Sequence, residues 1–217
     1  MALSTRFSQL ELRLNELREH LLPAEFSETG DYSPAVIDMA KGYRLLAHAE
    51  FEAYIEDVSK EVIIEAIGKW KNARTPSVTI VSFLAAYHSS WSINDEQHNH
   101  DIIELSKGRL NPKESLMEAI NIASKQFNKK IGSNNGIKSD NFKTLILPTG
   151  VDLEQLDSEL LLKLDNYGSK RGEIAHNSSL RVTQQLNPKD EFAEVVYLVE
   201  CLKSLDEKLN ELRLSLQ

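Results

Sequence analysis

The chain predicts an all-α fold: an antiparallel helical bundle with an additional N-terminal helix and a helical or loop insertion. Apolar residues recur at steps of three and four along most of its length, and helix-start signals return at long intervals. The β-branched run Ser77-Val78-Thr79-Ile80-Val81 would suit a strand, but the following Phe83-Leu84-Ala85-Ala86-Tyr87 favours a buried helix. A single domain is expected over 1–217. It divides into an N-terminal helix over 1–22, a long central helix over 34–70, insertion-like helices and a loop over 72–150, and further helices over 152–216.

The starts share one device, a capping residue followed by proline, at Ser33-Pro34, Thr75-Pro76, Asn111-Pro112 and Asn187-Pro188. The capping side chain accepts a bond from an orphan backbone N–H, and proline lacks a donor that would be unpaired there anyway. Asp152, with Gln155 three residues later, marks another start in the manner of a capping box.

Within 34–70, Tyr43, Ala47, Phe51, Tyr54, Val58 and Val62 form one apolar stripe. Arg44, His48, Glu52, Glu56 and Lys60 follow at steps of four on another side, which reads most simply as a solvated salt-bridge ladder. The ends carry heptad seams: Leu3, Phe7, Leu10, Leu14, Leu17 and Leu21, then Val195, Leu198, Leu202, Leu205, Leu209, Leu212 and Leu216. These seams pair either with each other inside one subunit or between two subunits. Residues 129–150, rich in Gly, Asn and Ser and containing Pro148, read as a long loop. Asp152 to Asp165 reads as a helix, softened by Tyr167-Gly168-Ser169.

The 217 residues, 41% of them hydrophobic, suffice for a sizeable core. No apolar run approaches the roughly 20 residues that span a bilayer, and the amphipathic, charged start is unlike a signal peptide, so a cytoplasmic protein is expected. Cys201, the sole cysteine, sits in an apolar-periodic stretch and leaves neither an internal disulfide nor a Cys-based zinc site. The net charge of −8 argues against constitutive, nonspecific nucleic-acid binding. That charge is uneven. Residues 1–61 hold six basic and twelve acidic side chains, whereas Lys125, Lys129, Lys130, Lys138 and Lys143 face only Asp140 across 125–143. Those lysines either solubilise a connection or make a local basic surface.

The chemistry concentrates in Arg171-Gly172-Glu173-Ile174-Ala175-His176, an Arg-x4-His pair. Arginine keeps its charge and forks onto phosphate oxygens, and histidine changes protonation near neutral pH. Together they supply what metal-free RNA cleavage requires. In an unbroken helix the two would point about 140° apart, so a helix end at or just before His176, with Asn177, Ser178 and Ser179 as the exit, would bring them together. Other histidines are weaker candidates. His98 and His100, with Asp95, Glu96 and Asp101, have a spacing that a surface loop explains better than a metal site. Trp70, His88 and Trp91 fit core edges at helix ends better than RNA-stacking positions.

Lys170 to Asn177 resembles the extended motif of the RiboL-PSP-HEPN group within the HEPN superfamily. The segment Tyr43-Arg44-Leu45-Leu46-Ala47-His48-Ala49-Glu50-Phe51-Glu52-Ala53-Tyr54-Ile55 is similar to that group's early helix, with its Ala-Glu-x-Glu pattern. The two segments agree in order and spacing. The resemblance implies a HEPN-like bundle acting as a homodimeric, metal-independent endoribonuclease on RNA, without a cofactor. His176 would be general acid or base, Arg171 would hold the scissile phosphate, and the products would carry 2′,3′-cyclic phosphates. Lys170, Asn177, His48 and Glu50 are further candidate substrate contacts. A toxin, stress or phage-defence role, with a regulatory or antitoxin protein as partner, would follow. Gly172 departs from the polar residue common after the arginine, which leaves open a non-catalytic module that binds RNA, nucleotide or a partner protein.

Overall fold

The computed structural model describes residues 3–88, 112–176 and 186–215. Ser4 opens α1 (Thr5–Leu21) by accepting the Phe7 N–H on its hydroxyl. Ser33 does the same for α2 (Pro34–Ala73) through Val36, with Pro34 in the first turn. α2 stops at Arg74, which takes the left-handed conformation at φ 58°. The next start falls two residues beyond the expected Thr75-Pro76. Ser77, the stronger capping type, accepts the Ile80 N–H at 3.1 Å and opens α3 (Val78–His88). Then come α4 (Pro112–Gly132), α5 (Ser139–Ile146), 3₁₀ turns over Leu147–Thr149 and Leu153–Gln155, α6 (Leu160–His176) and α7 (Pro188–Ser215). Asn187 opens α7 by accepting the Lys189 N–H at 2.9 Å. Among the described residues there is no strand.

Three expectations need correction. The segment 129–150 is largely helical, because Phe142, Leu145 and Ile146 gather on one face of α5 and are buried. Asp152 caps only a 3₁₀ turn, through the Glu154 N–H. The motif helix begins at Leu160, after Asp157 accepts the Glu159 N–H at 2.7 Å. Nor does Gly168 soften α6, which is unbroken from Leu160 to His176. A Cβ there would lie 2.9 Å from Cγ of Lys138, so the glycine lets α6 pack tightly against the start of α5. Asp165 completes that junction by accepting the Ser139 N–H at 2.8 Å.

α2 is the central element, and both terminal helices bury their seams against it within one chain. Phe7, Leu10, Leu14 and Leu17 of α1 and Val195, Leu198, Leu202, Leu205 and Leu209 of α7 share a core with Tyr43, Phe51, Tyr54 and Val62 of α2. Each such side chain, fully buried, contributes about 1.5–3 kcal/mol. α1 and α7 meet directly at Asp206, which accepts from the Ser4 N–H, the Ser4 hydroxyl, the Tyr54 hydroxyl and the Asn210 amide. Cys201 is buried and unpaired in the same helix. No described helix is long and apolar enough to cross a membrane.

Candidate functional site

The other end of α7 holds a second polar cluster, built around Arg44. Its side chain is completely buried, whereas the ladder reading placed it in solvent. Its Nη1 donates to both oxygens of Glu191, at 2.5 and 2.6 Å, and its Nη2 to Glu194 at 3.2 Å. The guanidinium lies 4.3 Å from the centroid of the Tyr167 ring. A delocalised, weakly hydrated cation suits such a place better than an ammonium would. Burial pushes the Glu191 carboxyl above its usual range, while Arg44 pulls against it.

His48, one turn further along α2, is also buried, at 2% exposure, and likewise leaves the expected ladder. Its ring stacks on Tyr167, the planes 7° apart, and Phe51 meets Tyr167 edge-on. Burial, then the charges of Arg171 and Arg44, push the imidazole down to about 4. It is therefore neutral at physiological pH, and its contact with Glu52 at 3.7 Å is a polar neighbourhood and not an ion pair. Burial and the nearby Glu56 raise Glu52, while Arg171 lowers it. Asn134, in the α4–α5 turn, donates to Glu56 at 2.7 Å and to Glu52 at 3.4 Å, and Asn141 donates to Asn134 at 2.7 Å.

Arg171 stands one turn beyond Tyr167 on the same face of α6, partly buried, within electrostatic reach of His48 and Glu52. A fixed positive charge there, beside a neutral imidazole, can hold an oxyanion. Among the other candidates, Lys170 reaches Glu194 at 3.3 Å and so joins the Arg44 cluster. Glu50 turns to α1, where Arg13 pairs with it at 3.4 Å, away from Arg171's neighbours. His176 closes the helical range of α6, but its side chain lies outside what the structure describes. Asn177 to Ser179, His98, His100 and their acidic neighbours, and Trp91 lie outside the described residues; so does the side chain of His88.

The sequence held a signal for the buried cluster. Arg44 and His48, then Glu52 and Glu56, are adjacent like-type pairs four residues apart, an order that weakens an exposed ladder. Their partners therefore had to come from other helices. Tyr167, Glu191 and Glu194 on α6 and α7 are partners of Arg44 and His48, and Asn134 in the α4–α5 turn is the partner of Glu52 and Glu56; sequence spacing alone did not connect them.

An all-helical bundle with an Arg-x4-His pair on a continuous helix, its arginine against a buried polar cluster, defines a HEPN-type module. The chain matches the RiboL-PSP-HEPN family over residues 8–211 and belongs to it. That membership ties it, in general terms, to nuclease and RNA-related modules. No curated protein and no solved structure matches the chain.

Proposed function

We propose that the protein is a metal-independent endoribonuclease acting as a homodimer, with the Arg-x4-His helices of two subunits facing one another. The observation that carries this reading is the position of Arg171. It is the motif arginine of a HEPN chain, and it projects from an unbroken helix beside a histidine kept neutral. Arg171 holds the scissile phosphate and stabilises its developing charge, for which a preorganised cation is suited. His176 takes the proton of the ribose 2′-OH or protonates the leaving 5′-oxygen, a role matched to an imidazole near neutrality. Cleavage leaves a 2′,3′-cyclic phosphate and spares DNA, which lacks the nucleophile. His48 is a positioning residue through Tyr167, and Lys170 a link to α7. The activity belongs in a cytoplasmic toxin, stress or phage-defence setting, restrained by a partner protein. Since both terminal seams are used within the chain, the dimer forms through other surfaces.

The test compares wild type with Arg171→Ala and His176→Ala on total RNA in EDTA, reading the fragment ends. Wild-type cleavage to 2′,3′-cyclic phosphates, lost in both variants while the helical signal and dimer mass persist, is the expected result. Gly172 in place of the usual polar side chain favours a second reading, a binding module. RNA bound for hours by wild type without cleavage would establish that one instead.

A further inference from the structure

The segment from Lys125 to Lys143 carries five lysines and one aspartate, leaving 20 basic against 32 acidic side chains, a formal −12, on the rest of the chain. The structure folds this segment into a corner, the C-terminal half of α4 turning into α5. Lys125, Lys129, Lys130 and Lys138 are exposed, and none of the five lysines forms an ion pair with a described residue. The carboxylates nearby are held by neutral donors, which fixes their positions and leaves the lysines without a direct partner among the described residues. Asp165 accepts the Ser139 N–H, and Glu56 and Glu52 accept from Asn134 inside the corner. Asp140 alone is exposed.

The corner is continuous with the motif helix. The stem of Lys138 runs along α6 at Gly168, where a Cβ would meet its Cγ at 2.9 Å and its Cε at 3.8 Å. Gly168 and Arg171, three residues apart, share a face of that helix. The favourable interaction of Lys129 and Lys130 with the carbonyl end of α4 accounts for two of the charges but not for Lys125 or Lys138. An otherwise acidic protein thus presents lysines without ion pairs among the described residues on a corner that packs, through Lys138, against the motif helix three residues before Arg171.

We propose that the α4–α5 corner binds the phosphates of a single RNA strand that flank the one held by Arg171, with Lys129, Lys130 and Lys138 as the contacts. This rests on the reading of the chain as an RNA-cleaving enzyme. It adds that affinity for substrate comes from a surface outside the motif, by release of counterions from the strand. The acidic remainder repels RNA and confines binding to this track.

The experiment measures anisotropy of a labelled 2′-O-methyl oligoribonucleotide of about 12 nucleotides, within the range of single-strand site sizes. That probe lacks the nucleophile and stays intact. The full chain is compared with Lys129→Gln/Lys130→Gln/Lys138→Gln, the triple Lys→Arg variant, and Lys60→Gln/Lys71→Gln as an exposed control on α2. Loss of three contacts is expected to weaken binding about ten- to hundred-fold near 0.1 M salt and to flatten the log–log salt slope by about 2. The arginine variant and the α2 control should keep the wild-type slope. Equal affinity and slope in wild type and glutamine variant would overturn the corner while leaving the nuclease reading intact. A wild type that neither binds the probe nor cleaves RNA would overturn both.

Discussion

The two ends of α7 each carry a buried carboxylate, and they differ in what surrounds it. Asp206, near the C-terminal end, is 2% exposed and accepts from one backbone N–H, two hydroxyls and an amide. Its donors are all neutral. Glu191, in the first turn, accepts twice from Arg44, whose Nε has no partner and whose face lies on Tyr167 beside His48. The first cluster closes α1, α2 and α7 together. The second leaves charge in excess of its hydrogen bonds, next to Arg171. Polar groups are costly to bury in both places, but only the second shapes the electrostatics of the motif helix.

Removing the cation should produce the largest effect. Arg44→Met leaves Glu191 and Glu194 without their counter-charge and is expected to destabilise the fold by about 3–5 kcal/mol in urea denaturation. Arg44→Met/Glu191→Leu should recover most of that loss; if the double variant is no better, the pair is not the reason.

The pH dependence comes next. His48 is held at about 4 in the folded state against 6.5 when unperturbed. Between those values the unfolded chain takes up a proton that the folded chain refuses. The contribution is therefore complete above pH 6.5 and is lost as pH falls towards 4, by up to roughly 3 kcal/mol. Raised carboxyls such as Glu52 act in the opposite sense, so the informative quantity is a difference. Urea midpoints at pH 7 and pH 4.5 should fall further for wild type than for His48→Gln, and equal falls would remove His48 from the account.

At the other end, Asp206→Ala strands the Tyr54 hydroxyl and the Ser4 donors and should cost about 1–3 kcal/mol. It should leave RNA cleavage per folded molecule unchanged; a matching loss of kcat would show that the clasp reaches the motif after all. Smallest of all, Arg213→Ala removes partly exposed pairs with Glu61 and Glu65 and should shift stability by about 1 kcal/mol.

The same contrast explains what the sequence could reveal. Helix starts at Ser33 and Asn187 were legible because capping and proline chemistry are local, as was the apolar stripe from Tyr43 to Val62, which needs only a period. α5 was hidden because eight residues give too little periodicity between glycine-rich and proline-containing flanks. Arg171 was marked by its motif. The burial of Arg44 and His48 was obscured because each sits among charged residues at steps of four, and their partners lie on α6 and α7, more than a hundred residues away. Long-range polar partners follow from packing and leave no period.

Arg44 touches Tyr167 on α6 and Glu191 on α7, so a single side chain bridges two helices whose connection along the backbone runs through 177–185. Continuity of the chain is therefore not what holds them in register. From α2, the ion pair to Glu191 and the ring contact with Tyr167 hold α6 and α7 side by side.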